Sequence, residues 1–147
     1  MSDDSHAPAS FTGSFTQQAP IPEEGIAAAL EVLRHGRLHR YNLAPGEVGE
    51  TAALEEEFAA LTGARYCLAV ASGGYAMACA LRALGVGPGD VVLSNAFTLA
   101  PVPGAIASLG ARPVFVETTW DLTIDIEHLA AQAAAHPEAR VLLLSHM

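Results

Sequence analysis

The sequence predicts an α/β fold in which βαβ units build a parallel sheet. Apolar runs of strand length alternate with segments of helical length, and short turns rich in Gly and Pro connect them. The strand-length runs are apolar throughout, as parallel strands buried on both faces must be. The 147 residues are enough for a domain with its own hydrophobic core.

The chain begins with a segment that predicts no regular structure. Residues 1–20 are rich in Ser, Thr, Gln, Ala and Pro and lack a hydrophobic period, so we expect a flexible N-terminal tail. A first helix follows, because Ile26, Leu30 and Leu33 recur at helical spacing. Gly36 is expected to end this helix.

A loop and a second helix come next. Residues 37–49 are irregular and contain Pro and Gly, which predicts a loop. The second helix should begin near Glu50 and end at Gly63, in the position just after the last turn. Its apolar face comprises Leu54, Phe58 and Leu61.

From residue 66 onward, strands and helices alternate. The predicted strands cover residues 66–70, 91–93, 113–116 and 141–144. The predicted helices cover residues 72–84, 101–109 and a segment around 126–130. Because the connections are short, this order predicts right-handed crossovers that place helices over the faces of the sheet.

Composition argues against several classes of function. The net charge is −9, with seven arginines and no lysine, so neither nucleic acid nor a membrane is an expected partner. The N-terminus does not resemble a secretory signal, and no apolar run reaches the length of a membrane span. We therefore expect a cytoplasmic protein in which Cys67 and Cys79 stay reduced. No metal site is predicted, since Gly36 breaks the helix between His35 and His39.

The turn Ser72-Gly73-Gly74-Tyr75, between a predicted strand and a helix, is a candidate anion site. A helix start offers unpaired N–H groups and partial positive charge, and glycines let the backbone approach an anion closely. A tight turn whose glycines serve only the packing of helix on sheet would give the same pattern. The turn is neither the dinucleotide fingerprint G-x-G-x-x-G nor a P-loop.

Five short motifs follow one another between residues 49 and 147. They are LEEEFA (54–59), TGARY (62–66), ASG (71–73), LRALGVGPGD (81–90) and LGARPVFV (109–116). In this order and spacing they resemble the N-terminal third of the DegT/DnrJ sugar aminotransferases. That family has the fold-type-I fold of transferases dependent on pyridoxal 5′-phosphate (PLP), as in aspartate aminotransferase. The resemblance implies that residues 21–147 form the N-terminal part of the PLP-binding large domain.

The resemblance also implies which residues bind the cofactor PLP. They are Ser72, Gly73, Gly74, Tyr75 and Leu99. Gly73, Gly74 and Tyr75 would hold the phosphate through backbone N–H groups, and Ser72 would shape the turn. Gly74 replaces the family's usual Thr, so a hydroxyl is lost but the N–H remains. Asn95 stands at the proline of the family's Pro-Ala-x-Thr-aromatic stretch, and Leu99 stands at the aromatic residue that stacks on the cofactor ring. Leu99 either covers the ring by apolar contact or belongs to the core.

No catalytic residue is expected within this chain. By the resemblance, the Schiff-base lysine and the aspartate that pairs with the pyridine nitrogen lie beyond Met147. Since the chain has no lysine, it is expected to be inactive alone.

The whole enzyme implied by the resemblance is a homodimer that acts on two small molecules. It would move an amino group from an amino-acid donor, expected to be glutamate, to a keto sugar or a related cyclic ketone. A PLP-dependent sugar dehydratase, or a catalytically inactive member, is the alternative within the family. A Rossmann-like nucleotide-binding or interaction module is the alternative from another class.

Overall fold

The computed structural model describes residues 12–146, apart from 15, 17 and 42. Most of the predicted tail, including residues 1–11, lies outside the described residues, as does Met147. The chain divides into two compact units, Met1–Tyr66 and Cys67–Met147. Among the described residues, no helix is long and apolar enough to cross a membrane.

The first unit contains two helices, α1 (Glu23–His35) and α2 (Glu50–Thr62). Both end as the sequence predicts, because Gly36 and Gly63 adopt the left-handed conformation with φ of 70° and 69°. Neither helix has a buried residue. The apolar face of α2 is therefore exposed within its unit, with Phe58 half-exposed at 50%.

The second unit is a three-stranded parallel sheet with helices on both faces. Its elements, in chain order, are α3 (Gly73–Ala83), β1 (Val91–Asn95), α4 (Pro101–Ser108), β2 (Arg112–Val116), α5 (Ile126–Ala135) and β3 (Val141–Leu143). The strand order is β2-β1-β3, and β1 pairs in parallel with both neighbours. The predicted α/β class with parallel βαβ units is confirmed.

Strand β1 is the centre of the core and is buried along its whole length. Val92 belongs to one apolar cluster, with residues of α3 and α4 such as Leu81 and Ile106. Val91 and Leu93 point to the other face, where they join residues of β2 and partly buried residues that include Leu129 of α5. Burial on both faces explains why this strand has no polar residue until its last two positions.

The predicted strand over residues 66–70 is wrong. These residues form no part of the three-stranded sheet, and Tyr66 and Leu68 are exposed. The apolar run predicted a strand buried on both faces, but a strand also requires a neighbouring strand, and the order β2-β1-β3 does not include residues 66–70. Cys67, within this run, and Cys79 are half-buried free thiols.

The loop between β2 and α5 is tight and carries an exposed aromatic side chain. Thr118 and Ile124 form an antiparallel bridge across the loop. Leu122 adopts a φ of 61°, a left-handed conformation that is uncommon for a residue with a branched side chain. Trp120, the single tryptophan of the chain, lies in the loop between Thr118 and Ile124 and is fully exposed.

Candidate functional site

The candidate site lies at the carboxyl edge of the sheet, where β1 ends and α3 and α4 begin. A Cβ built on Gly74 would lie 3.5 Å from the Cβ of Pro101, so the first turns of α3 and α4 are neighbours. An open groove of about 320 Å³ runs beside them, and its lining includes Ser72, Gly74, Tyr75 and Pro101. In open α/β sheets, ligands bind at this edge of the sheet.

Ser72 shapes the start of α3 in the way the sequence predicts. Its backbone is extended, with φ of −162° and ψ of 158°, and its Oγ accepts a hydrogen bond from the Tyr75 N–H at 3.2 Å. Its carbonyl accepts the Ala76 N–H at 2.9 Å. Ser72 is thus the N-cap of α3, which leaves Gly73 and Gly74 as the first two helical residues.

The N–H groups of Gly73 and Gly74 are suited to bind an anion. Groups at these two positions have no intrahelical acceptor, and the helix dipole adds partial positive charge. A Cβ built on Gly73 would meet no heavy atom within 4 Å, and the φ of Gly73 is not in the left-handed region. Neither the backbone nor a neighbour therefore requires glycine at position 73. An anion approaching the N–H groups would use that open space, so these residues fit a phosphate group.

Leu99 lies just before α4 and is 61% exposed. Within this chain the side chain of Leu99 is therefore not part of the hydrophobic core. Its contact with a cofactor ring stays a prediction. Tyr75, in the first turn of α3, is likewise exposed at 55%. Both side chains are free to contact a ligand at this edge.

Asn95 lies at the same edge of the sheet and makes contacts that the sequence interpretation did not predict. It is the last residue of β1 and is 3% exposed. Its side-chain amide forms hydrogen bonds with the backbone of Ser145 and Phe97. The signal in the sequence was a carboxamide at the end of an apolar strand, since a buried amide must find partners.

The first unit contains a second set of polar side chains, close to the predicted loop. The Ala44 N–H donates to Glu47 Oε2 at 2.8 Å, and this bond lowers the pKa of Glu47 below its ordinary value. The Arg37 guanidinium, 2.7 Å from Glu47 Oε1, lowers the pKa further. His35 Nδ1 accepts the Arg37 N–H, and His39 stacks on Tyr41. Among the described residues, no three His, Cys, Asp or Glu side chains are grouped to hold a metal.

Comparison with known proteins identifies the chain's relatives. A 127-residue segment is 36% identical to a Pseudomonas aeruginosa UDP-2-acetamido-2-deoxy-3-oxo-D-glucuronate aminotransferase, covering 86% of this chain and 33% of that protein. The spore coat polysaccharide biosynthesis protein SpsC of Bacillus subtilis is 36% identical over 92 residues, which are 63% of this chain and 23% of that protein. The chain thus spans a third or less of the length of these two relatives.

Solved structures give the same answer. A Streptococcus pneumoniae protein described as a sugar aminotransferase, in its PLP form, superposes with a TM-score of 0.72 at 27% identity, over 85% of this chain and 30% of that one. A 3-amino-5-hydroxybenzoic acid synthase superposes with a TM-score of 0.73 at 31% identity, over 88% of this chain and 32% of that one. The model of the DegT/DnrJ/EryC1/StrS aminotransferase family matches residues 21–147. The chain belongs to the DegT/DnrJ/EryC1/StrS aminotransferase family.

Proposed function

We propose that this chain is the N-terminal part of a PLP-dependent aminotransferase and that residues 21–147 belong to its PLP-binding large domain. The whole enzyme moves an amino group from an amino acid, glutamate, to a keto sugar or a related cyclic ketone. It acts in the cytoplasm as a homodimer. When bound, PLP supplies the electron sink that amino-group transfer requires.

The start of α3 is the observation that carries this proposal. Ser72 caps the helix, and Gly73 and Gly74 present N–H groups beside open space at the carboxyl edge of the sheet. We assign the cofactor phosphate to these N–H groups and to that of Tyr75. Because Tyr75 N–H is 3.2 Å from Ser72 Oγ, the serine hydroxyl shares it with the phosphate or yields it on binding.

Leu99 contributes to the same site from the segment that leads into α4. Its exposed side chain offers an apolar surface at the carboxyl edge, and we assign it to one face of the cofactor ring. Apolar contact of this kind excludes water from the ring but lacks the additional stabilisation of a stacked aromatic pair. The site therefore binds PLP more weakly than it would with an aromatic residue at position 99.

The names of the relatives support the class of substrate. The Pseudomonas aeruginosa relative is named for a UDP-linked oxo-sugar acid, and the solved synthase is named for an aminated benzoic acid. Both names describe an amino group on a ring. The class of acceptor that we propose, a cyclic ketone, follows from this common feature.

This chain alone should carry no transferase activity, because it has no lysine to bind PLP covalently. Mixing the isolated chain with PLP, reducing with borohydride and measuring the intact mass checks this. We expect no side-chain adduct; a trace at the α-amino group of Met1 is compatible with the proposal. A stoichiometric adduct elsewhere would contradict it.

The function itself is tested with the whole protein, PLP and nitrogen-labelled glutamate. The protein is incubated with a panel of keto sugars and cyclic ketones, and products are measured by mass spectrometry. We expect labelled nitrogen in the ring product together with 2-oxoglutarate. A dehydrated product without nitrogen would indicate the dehydratase instead. Tight nucleotide binding without PLP binding would indicate a nucleotide-binding module.

A further inference from the structure

The side chain of Asn95 connects two segments that are fifty residues apart. Its Oδ1 accepts the Ser145 N–H at 2.9 Å, and its Nδ2 donates to the Ser145 carbonyl at 3.0 Å. The same Nδ2 donates to the Phe97 carbonyl at 2.6 Å. Both amide protons and the amide oxygen are thus used, in a position that is 3% exposed. A buried amide with three partners fixes the geometry of all of them.

The two bonds to Ser145 extend the pairing of β1 with β3. The last backbone pair of these strands is Ser94 with Leu143. The backbone of Asn95 is paired on the opposite side, with Val116 of β2. On the β3 side, its carboxamide takes the place of a peptide group, since it presents one acceptor and one donor to a single residue. The side chain of Asn95 therefore holds Ser145 beside β1, beyond the last backbone pair of β1 and β3.

The bond to Phe97 acts on the segment that leads into the candidate site. Residues 96–99 turn away from the end of β1 and lead into α4, and Leu99 is the last of them. Fixing the Phe97 carbonyl sets where this turn begins. One side chain thus sets the position of residues 96–99 (the Leu99 segment) relative to Ser145.

Asparagine suits this position because its side chain both donates and accepts hydrogen bonds, and its three partners include donors and acceptors. Two are carbonyl oxygens and one is an N–H group, so an ionised aspartate would face two acceptors and a leucine of similar size would satisfy none. The proline that the family motif has at this position has no polar atom in its side chain. The three hydrogen bonds of the Asn95 side chain form a clamp between Phe97 and Ser145. This clamp depends on a residue that differs from the one in the family motif.

We propose that Asn95 is a positioning residue for the PLP site, holding the Leu99 segment and the chain after β3 in a fixed relation. The part of this inference that concerns PLP rests on the proposed function. The clamp itself is a statement about three hydrogen bonds and can be tested separately. The variants are Asn95→Leu and Asn95→Asp. The matched control is Ser94→Ala, because Ser94 is fully buried and its Oγ has no hydrogen-bond partner among the described residues.

The first measurement is PLP affinity in the whole protein. Asn95→Leu leaves buried backbone groups without partners, and the Leu99 segment is no longer held. We expect PLP to bind about tenfold to a hundredfold more weakly, because part of the binding free energy must then order the released segment. Ser94→Ala should bind PLP as the wild type does. Wild-type affinity in a folded Asn95→Leu protein would overturn the positioning role.

The second measurement is the melting temperature of Asn95→Asp relative to the wild type, between about pH 8 and pH 5. Facing two carbonyl oxygens, the buried carboxylate should have a pKa raised above its unfolded value of about 3.9. A group with a raised acid pKa loses stability as pH rises from the unfolded to the folded value. The protonated acid again donates one hydrogen bond. The melting temperature of Asn95→Asp should therefore approach that of the wild type as pH falls. Asn95→Leu, if folded, should show a deficit that changes little with pH.

These outcomes separate the clamp from the proposed function. If the wild type binds no PLP, the proposed function and the positioning role both fail, while the pH dependence of Asn95→Asp still tests the clamp. If Asn95→Leu does not fold, PLP affinity is measured with Asn95→Asp at neutral pH, where the same weakening is expected. If the difference in melting temperature between Asn95→Asp and the wild type does not change with pH, hydrogen-bond donation by the Asn95 amide does not stabilise the protein.

Discussion

Gly73→Val in the whole protein should weaken PLP binding while leaving folding almost unchanged. A Cβ at this position meets no heavy atom within 4 Å, and the backbone is not left-handed. The protein therefore has neither a steric nor a conformational need for glycine here. Valine and glycine also differ little in helix propensity, so the free energy of unfolding should change by less than about 1 kcal/mol.

The effect on PLP should be much larger than the effect on folding. The valine methyl groups would fill the space through which a phosphate reaches the first N–H groups of α3. A hydrogen bond to a charged group contributes about 1.5–3 kcal/mol. Losing one such bond raises the Kd for PLP by about tenfold to 150-fold. Loss of affinity without loss of stability is expected only if the space belongs to a ligand.

The assay is a PLP titration followed by absorbance, with a thermal melt monitored by circular dichroism. Gly87→Val is the matched control, because Gly87 lies in the turn before the amino end of β1, outside the groove, and a Cβ there also meets open space. It should leave both PLP affinity and melting temperature near the wild-type values. Unchanged PLP affinity in folded Gly73→Val would refute the assignment of the phosphate to this helix start.

Three further predictions concern the same site and the first unit. Gly74→Thr should bind PLP at least about tenfold more tightly than Gly74→Val, because the two side chains share a shape and only threonine adds a hydroxyl for the phosphate. Leu99→Phe should tighten PLP binding about threefold to tenfold by stacking on the ring, without the overpacking cost of a buried position. Glu47→Gln should lower the melting temperature at neutral pH but not in acid. The folded carboxylate has a lowered pKa, so its stabilisation is complete above the unfolded value of about 4.3 and is lost as pH falls through the folded pKa.

Each of these predictions has its own control and its own contrary result. For position 74, equal PLP titrations of the threonine and valine variants would exclude a hydroxyl contact. For position 99, the control Leu99→Ala should weaken PLP binding. A lower melting temperature together with weaker PLP binding in Leu99→Phe would contradict the assignment of Leu99 to the cofactor ring. For Glu47, the control is Glu56→Gln on the exposed side of α2, which should melt as the wild type does. A Glu47→Gln deficit that persists in acid would contradict the ionic origin.

Local sequence was sufficient for the helices and for the start of the site. The glycines that follow α1 and α2 adopt the left-handed conformation because few other residues tolerate it, and Ser72 caps α3 because its hydroxyl can accept a nearby N–H. Both rules depend on residues within one turn of each other. Such features can be predicted without knowledge of the tertiary structure.

Features that depend on distant partners could not be predicted in this way. Residues 66–70 have the composition of a buried strand, but strand formation requires a neighbour that composition does not specify. The bonds between Asn95 and Ser145 join positions fifty residues apart, and only the pairing of β1 with β3 brings them together. Hydrophobic pattern indicates which residues are buried, but not which polar groups meet.

The exposed indole of Trp120 determines which spectroscopic signal can be used for this chain. A tryptophan already surrounded by water in the folded state emits much as it does in the unfolded chain, so its fluorescence would barely report unfolding. The same exposure makes the emission sensitive to any surface that covers the loop. A blue shift and protection from a soluble quencher would then signal association at this loop, even where circular dichroism registers no change.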